Sequence, residues 1–487
     1  MKKIAIIGAG YSGLSIAALL AKYGYYVTVF EKHGELGGCA GYFSRGKDTF
    51  DAGATTLSGL RDGGPFRKIL DVLDLDVDVL EVEDGIRIIS DEHELIIGNS
   101  IDSTIEQFNK VFPHFNSESF WKQMKEDQDR ALNLVSNLSY IQFPSVENIS
   151  KLLTTELFSK LRALPLITKS FYDVYLKPLN ASKEVEKVID EILMISTQST
   201  SKDVPALFGI LGVMYPFDLW CATGGMKSLM YELKNLIKRY DGTIYLSEKV
   251  EKINLEKDIF HIETAKRKMS FDYVISCVPN FSLENIVDGG LKRQLNLNVK
   301  KTLKKWSAIT SYFVMDTEEE IPGTYYQFLI SDAPFGKSRS IFVSLSHIDD
   351  EVRTKGNRRL VTISYHTDAT EWKLNERDED YKKAKECIKL FCERSLRNVF
   401  EKYKITQIRN TAVGTPLTFQ RYTNREKGFL GGIPYSLSDP LFLHQRTKTS
   451  VSNFYCLSDT TIPGQSIYSL SLSSLNLLGY IKKVSLI

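Results

Sequence analysis

The stretch IAIIGAGYSG, residues 4–13, decides the fold of this 487-residue chain. Its four apolar residues predict a strand buried on both faces, and a G-x-G-x-x-G pattern follows at once. The next apolar run predicts a helix over 14–22, and a second apolar strand, 27–30, ends before Glu31. A carboxylate there can accept hydrogen bonds from a ribose diol and repel a 2′-phosphate. This strand, turn, helix, strand order predicts a dinucleotide-binding unit.

Each residue of the glycine loop has a physical task. Gly8 permits the sharp turn, Gly10 lets the backbone approach a pyrophosphate, and Gly13 lets the helix pack on the strand. Tyr11 and Ser12 lie in this turn, just before the predicted helix, whose N-terminal amides and dipole favour an anion. The loop therefore predicts where the pyrophosphate binds.

A second glycine pair follows the acid, in GGCAG at residues 37–41. This spacing resembles the extended fingerprint of FAD-binding flavoproteins of the glutathione reductase and amine oxidase type, so the resemblance implies FAD as the cofactor. Lys32, Gly38 and Cys39 join the predicted cofactor-binding residues. Many of those relatives carry Arg where this chain has Cys39, so this position supplies no cation for the pyrophosphate. A covalent flavin link on Cys39 and a small buried thiol are the alternatives.

Composition restricts the class of protein. Apolar residues make up 43% of the chain and charged residues 25%, as in a soluble globular protein, and the length predicts two or three domains. The net charge of +2 argues against a nucleic-acid partner. Six cysteines without metal-ligand spacing predict a reducing, cytoplasmic compartment and no metal site. We expect neither a signal peptide nor a transmembrane helix.

Several further stretches resemble one family. They are GGCAGYF at 37–43, TFDAGATTLSGL at 49–60, GTPLTFQRYT at 414–423, GGIP at 431–434 and FYCLSDTTIPGQ at 454–465. All are similar to the carotenoid desaturase and isomerase family, which includes phytoene desaturases, carotenoid isomerases and retinol saturases, within the amine oxidase flavoprotein superfamily. The resemblance reaches both ends of the chain.

This resemblance implies further flavin contacts, at Gly53, Ala54, Thr55, Val250, Asp459, Gln465 and Ile467. The first three would lie against the isoalloxazine ring, and the valine backbone against adenine. The aspartate would hold the ribityl chain or pyrophosphate, and the last two would lie where a helix N-terminus faces the flavin. The chain departs from the family pattern at Ser458, Ser466 and Ser469, where glycines are usual. We expect the two serines beside the flavin, Ser466 and Ser469, to narrow the substrate slot or to weaken FAD binding.

The fold class implied is α/β, with a Rossmann-type FAD-binding domain of the glutathione reductase 2 (GR2) kind that is discontinuous in sequence. Residues 1–64, 220–290 and 425–487 are assigned to it. An inserted α+β substrate-binding domain takes residues 65–219 and 291–424, of which we expect the part up to about residue 180 to be mostly helical.

The segment 151–180 has a separate interpretation. It combines a large apolar content with an excess of basic residues, a pattern typical of a helix lying in a membrane interface. The alternative is a helical pair that covers the substrate domain. A peripheral membrane contact and a cytoplasmic location are both expected.

The chemistry implied is that of an FAD-dependent oxidoreductase acting on the polyene chain of a carotenoid or related isoprenoid lipid. Hydride transfer to flavin N5 would give desaturation, and isomerisation or saturation would share the same fingerprint. His366 is the candidate proton acceptor, and a histidine packed within its strand is the alternative. The sequence holds no second G-x-G-x-x-G before a helix, so oxygen or a quinone is the expected electron acceptor.

Two other functions stay open at this point. An amine or protoporphyrinogen oxidase on the same scaffold would need a polar pocket or an aromatic cage. A non-catalytic lipid-binding relative, resembling the Rab escort and GDP-dissociation inhibitor proteins, is favoured by Ser458, Ser466 and Ser469. The complete set of glycines around Glu31 argues against it, because those residues would serve no purpose without a nucleotide.

Overall fold

The computed structural model describes residues 2–98, 100–137, 142–143, 164–297 and 306–485. A sheet of five parallel strands, here called the nucleotide sheet, forms one half of the molecule. From edge to edge its strands are Phe454–Cys456, Tyr273–Ser276, Lys3–Ile7, Tyr26–Phe30 and Thr243–Tyr245. All of them fall within the three segments that the sequence assigns to the dinucleotide-binding domain.

Both faces of the nucleotide sheet are covered, as its apolar first strand predicts. On one side Ile4 and Ile6 pack in a core shared with four helices, Tyr11–Lys22, Pro65–Leu73, Met226–Arg239 and Ile467–Ser485. On the other side Ala5 and Ile7 pack against an antiparallel sheet of Val250–Glu256, Ile259–Thr264 and Lys268–Phe271 and two short helices, Asn280–Leu283 and Gly289–Leu295.

A second sheet of seven strands, the substrate sheet, forms the other half. Its strands in spatial order are Ile405–Gly414, Trp306–Thr317, Arg358–Asp368, Ser340–Leu345, Tyr325–Leu329, Ile86–Ile89 and Glu94–Ile97. Its neighbours are antiparallel except for the parallel pair Tyr325–Leu329 and Ile86–Ile89. The helix Glu379–Val399 buries Ile388, Cys392 and Leu396 against this sheet.

A helical group adjoins the substrate sheet and shares one core with it. It comprises Ile101–Val111, Ser117–Ser136, the π-helical turn Tyr172–Leu176, Lys177–Leu179, Lys183–Thr197 and Ala206–Val213. Two strand pairs, Tyr42–Arg45 with Asp48–Asp51 and Val79–Glu81 with Trp220–Ala222, and the helix Pro416–Thr423 connect the halves. Single helical turns lie at Gly38–Ala40, Tyr215–Phe217, Glu401–Tyr403, Glu426–Gly428 and Leu441–Leu443.

The prediction of a mostly helical region from 65 to 180 is partly wrong, because this region contains the strands Val79–Glu81, Ile86–Ile89 and Glu94–Ile97. The middle strand begins after Gly85, which has a positive φ of 61°, and buries its isoleucines. Its partner, Tyr325–Leu329, lies far along the chain. Local apolar spacing does not reveal such a distant partner.

The segment 151–180 is described only from residue 164. Phe171, Tyr175 and Leu176 are buried in the helical group, as the helical-pair alternative predicts. Leu164 and Ile167, in contrast, expose 53% and 47% of their surface. Among the described residues, no helix combines the length and apolar character that a bilayer crossing requires.

A buried ion network joins the two halves. The Arg353 guanidinium lies 2.7 Å from Asp51 Oδ2 and 2.6 Å from Asp350 Oδ2. Asp51 Oδ1 also accepts a 2.7 Å hydrogen bond from the Met226 amide, at the start of a helix on the nucleotide sheet. Removing one member would leave an unpaired buried charge, so the network fixes how the halves meet.

We expect Gly13→Ala to lower the free energy of unfolding by about 1–3 kcal/mol, because the added Cβ would overlap the Gly8 carbonyl. Gly479 is the matched control, since it lies exposed within a helix and a Cβ added there would have no atom within 4 Å. Gly479→Ala should raise the free energy of unfolding by about 0.5–1 kcal/mol. Urea unfolding measures both, and equal stability of the two variants would contradict the packing.

Candidate active site

A cavity of about 1560 Å³ lies between the carboxyl ends of the nucleotide sheet and one face of the substrate sheet. Of the residues predicted from the sequence, those that line it are Gly8, Gly10, Tyr11, Ser12, Glu31, Gly38, Cys39, Gly53, Ala54, Thr55, His366, Asp459, Gln465 and Ile467. Residues more than 400 positions apart in sequence therefore line the same cavity.

The first glycine loop presents the start of a helix to this cavity. Gly8 has a φ of 102°, and its amide donates a 2.8 Å hydrogen bond to Phe30 O on the next strand. Gly10 precedes the helix and offers no side-chain cap. A Cβ on Gly10 would make only ordinary van der Waals contacts, with Gly37 O at 3.8 Å and Gly38 Cα at 3.9 Å. The helix N-terminus is therefore free to bind an anion.

Two more loops stack on the first, backbone to backbone. The Gly37 amide donates to Ala9 O at 2.9 Å, and the Ala54 amide donates to Cys39 O at 3.1 Å. A Cβ on Gly53 would overlap that Cys39 carbonyl. The small residues thus let three distant segments form one cradle.

The Glu31 carboxylate is fixed by backbone amides at the edge of the cradle. Oε2 accepts a 2.8 Å hydrogen bond from Ala9 N, and Oε1 accepts one of the same length from His33 N. A carboxylate oxygen can accept more than one hydrogen bond. Glu31 can therefore hold the loop and still accept from a ligand hydroxyl.

Arg425 and Asp459 form a buried ion pair in the cavity wall, with Arg425 Nη2 2.7 Å from Asp459 Oδ2. The other oxygen, Asp459 Oδ1, is buried and has no hydrogen-bond partner among the residues that the structure describes. Beside the pair, burial raises the pKa of the Cys39 thiol, which disfavours the thiolate that a covalent link would need. Arg425 was not predicted, because no sequence pattern marks an arginine that follows a helix as a cavity residue.

Gln198 is a second cavity residue that the sequence did not predict. Its Nε2 donates to Leu430 O at 3.1 Å, while its Oε1 is buried in the cavity wall without a partner. A Cβ on Gly431 would overlap the Gln198 amide and lie 2.5 Å from Gln465 Oε1. Gly431 therefore brings both glutamines to one place, where they can accept hydrogen bonds from a ligand.

The far part of the cavity has apolar and aromatic walls. Phe208 and Tyr435 stack with ring centroids 4.2 Å apart, and Leu211, Met214 and Phe342 also line this part. Such walls exclude water and suit an elongated apolar ligand. The cavity thus joins a polar cradle to an apolar compartment.

His366 lies at the substrate-sheet side of the cavity, with its ring edge-to-face against Trp306 at 5.9 Å. Burial lowers the pKa of His366 to about 4. The imidazole is consequently neutral near pH 7 and can accept a proton or a hydrogen bond.

Three predicted cofactor residues do not line the cavity. Gly13 supports the contact between helix and strand, and Lys32 donates to Asn424 Oδ1 at 2.8 Å on the exposed surface. Val250 is buried where it pairs with Thr264. Their contacts with a cofactor stay predictions. Within the described residues, no three His, Cys, Asp or Glu side chains are placed to hold a metal ion.

Comparison with known proteins agrees with this geometry. Residues 6–73 match a family described as NAD(P)-binding Rossmann-like domain. All-trans-retinol 13,14-reductase from Danio rerio is 23% identical over 92% of this chain and 81% of its own length. Prolycopene isomerase 2 from an Oncidium hybrid cultivar is 23% identical over 96% of this chain and 81% of its own. A 4,4′-diapophytoene desaturase from Staphylococcus aureus is 49% identical over 55 residues, 11% of each chain.

The chain is thus similar to named members of the carotenoid desaturase and isomerase family. Solved structures show the same overall fold. An oxidoreductase from Methanosarcina mazei, 18% identical, has a TM-score of 0.61 and covers 98% of this chain and 100% of its own. Cyclohexylamine oxidase from Brevibacterium oxydans, 13% identical, has the same TM-score and covers 99% of both.

The serines that stand where the similar family usually has glycines form hydrogen bonds within the protein. Ser458 is buried outside the cavity wall, and its hydroxyl lies 2.8 Å from that of Thr460. Ser466 lines the cavity with a φ of 92°, and its hydroxyl accepts a 3.1 Å hydrogen bond from the Ser469 amide in the first turn of the last helix. Only Ser466 and Ser469 of the three can narrow the cavity.

We expect the free energy of unfolding to fall as the pH drops from about 6.5 to 4, because the unfolded His366 takes up a proton that the folded one excludes. His366→Gln should make this slope shallower by up to about 1.4 kcal/mol per pH unit. Urea unfolding at several pH values between 7 and 4 measures this slope. His93→Gln, at an exposed turn, is the control. An unchanged slope in His366→Gln would mean that the ring is protonated in the folded protein.

Proposed function

We propose that this protein is an FAD-dependent oxidoreductase acting on the polyene chain of a carotenoid or related isoprenoid lipid. The observation that carries the proposal is the continuity of one cavity from the glycine cradle to the apolar compartment. Its volume of about 1560 Å³ exceeds the roughly 300–1,000 Å³ of an ordinary small-molecule site. A dinucleotide and an elongated substrate can therefore lie side by side.

The polar atoms of the cradle support FAD as the cofactor. The backbone at Gly10, which carries no side chain, and the helix N-terminus suit a pyrophosphate, and Glu31 suits a ribose. The unpartnered Asp459 Oδ1 requires a donor, which a ribityl hydroxyl would provide. When bound, FAD supplies a hydride acceptor, the N5 atom of its ring.

The segment proposed to face the flavin ring, Gly53 to Thr55, is fixed by tyrosines of the substrate sheet. The Tyr312 hydroxyl donates to Ala52 O at 2.5 Å, and the Tyr325 hydroxyl donates to Thr55 O at 2.7 Å. Thr55 Oγ1 also lies 2.7 Å from Ser344 Oγ. These bonds hold the cradle in register with the walls of the apolar compartment, which is what orientation of two reactants requires.

The apolar compartment supports a polyene as the substrate. Loss of hydride from an unactivated C–H bond needs a dry site, and the charge left behind is spread along conjugated double bonds. The neutral His366 is the proposed acceptor of the proton that follows. Desaturation with oxygen or a quinone as electron acceptor, saturation, and redox-neutral isomerisation all use this arrangement, and the names of the relatives include each type.

The exposed Leu164 and Ile167 support a contact with a membrane surface, from which an apolar substrate would enter. Cosedimentation of the protein with phospholipid vesicles tests this contact. Failure of the wild-type protein to sediment with them would refute it.

The purified protein should carry or take up FAD and show a flavin absorption spectrum. We expect Gly10→Val to fold normally and lose the flavin on desalting, because a Cβ fits there without a clash but the side chain would occupy the place proposed for the pyrophosphate. Gly289→Val is the matched control, since a Cβ on Gly289 would also make only an ordinary contact, with Arg293 Nη1 at 3.9 Å, and Gly289 lies outside the cavity. A Gly10→Val variant that stays yellow would refute the assignment.

Anaerobic addition of a C20 or C40 polyene, presented in vesicles, tests the reaction. Bleaching of the flavin band would mean hydride transfer from the polyene, as in desaturation. A shift of the polyene bands with unbleached flavin would indicate isomerisation. Bleaching by an amine, with no response to polyenes, would favour an amine oxidase instead.

A further inference from the structure

The buried pair of Arg425 and Asp459 joins two separate segments at the cradle. Arg425 follows the helix Pro416–Thr423, and Asp459 follows Phe454–Cys456, the edge strand of the nucleotide sheet. Their side chains are only 11% and 10% exposed. An ion pair this deeply buried in a cavity wall raises the question of what the arginine contacts when the cavity is filled.

Both residues of the pair can form further hydrogen bonds. Arg425 makes one short contact, from Nη2 to Asp459 Oδ2, and Nη1 reaches Phe429 O only at 3.5 Å. A guanidinium has five N–H donors, so the group can bind further acceptors. Asp459 Oδ1, in turn, requires a donor. A ligand that offers both anionic oxygens and hydroxyl groups would satisfy the two residues together.

The position of Arg425 agrees with an anionic ligand at the cradle. Its charge acts on the Cys39 thiol, which lies next to Gly38. A Cβ on Gly38 would lie 3.3 Å from Gly10 Cα, so Cys39 is beside the open helix N-terminus. Two further charged groups of the first loops are already bonded within the protein, since amides fix the Glu31 carboxylate and Lys32 donates to Asn424 outside the cavity.

We propose that Arg425 pairs with the diphosphate of the bound dinucleotide, supplying from a distant segment the cation that residue 39 does not provide. Asp459 holds the guanidinium in place through Oδ2 and accepts from a ligand hydroxyl through Oδ1. This inference rests on the proposed binding of FAD. Arg425 is a binding residue for the cofactor and takes no part in the chemistry of the substrate.

The test is the affinity of the apoprotein for FAD, measured by quenching of flavin fluorescence at low and at high salt. Arg425→Gln should weaken binding about tenfold to hundredfold at low salt, as loss of a charge-assisted hydrogen bond predicts. Because salt screens charges, wild-type affinity should fall as salt rises, and the variant should lose most of that dependence. The double variant Cys39→Arg/Arg425→Gln should regain at least part of the lost FAD affinity and of its lost salt dependence.

A matched control is Arg358→Gln. Arg358 forms a similar half-buried pair with Asp48, 2.7 Å from Nη2 to Oδ1, and does not line the cavity. Its loss should leave FAD affinity and salt dependence unchanged. Wild-type protein that binds no FAD would refute the proposed function, whereas wild-type binding with an unaffected Arg425→Gln would refute only the role of Arg425.

A purely structural role for Arg425 gives a different result. Affinity would then fall equally at low and high salt, and Cys39→Arg would not restore it, which would overturn the proposal. Arg425→Gln leaves Asp459 as an unpaired charge, which could prevent folding. In that case FAD affinity at low and high salt is measured for two other variants, Arg425→Gln/Asp459→Asn and Asp459→Asn alone. The proposal requires the double variant to have the weaker dependence.

Discussion

The close contact between the first helix and the first loop is the constraint on which the rest of the structure depends. Because Gly13 has no side chain, the helix Tyr11–Lys22 can lie directly over the Gly8 carbonyl. Every residue from Tyr11 to Ala21 is buried, and the helix contacts Pro65–Leu73, Met226–Arg239 and Ile467–Ser485. Its position therefore sets the helical layer of the nucleotide sheet and aims its free N-terminus at the cavity.

The cavity itself exists because the two sheets are held apart at a fixed distance. The Arg353 network ties the hairpin strand Asp48–Asp51 and a helix of the nucleotide sheet to the loop after the strand Ser340–Leu345. Tyrosine hydroxyls from the substrate sheet add bonds to the segment after Asp51. Buried ionic and polar contacts of this kind do little for stability over apolar packing, but they fix geometry, which a two-ligand site needs.

The cavity wall retains polar atoms that the protein does not satisfy. Asp459 Oδ1 and Gln198 Oε1 are buried without donors, and each such atom costs about 1–3 kcal/mol relative to a bonded one. A ligand that supplies the donors would recover this free energy on binding. Ser458 and Ser466, which replace family glycines, do not add to this free-energy cost, since their hydroxyls form hydrogen bonds within their own turns.

The sequence by itself determined the nucleotide sheet, the glycine loops at its edge and the resemblance to a family, because glycine spacing, a strand-terminal acid and apolar runs act over short distances in the chain. It did not determine the strands Ile86–Ile89 and Glu94–Ile97, since the first pairs with the distant Tyr325–Leu329 and the second extends the sheet from the first. Nor did it reveal Arg425 or Gln198, whose local surroundings in sequence are ordinary. Only the tertiary structure decided that a cation and an amide from remote segments line the same cavity, because burial and long-range packing bring polar groups together without leaving a local pattern.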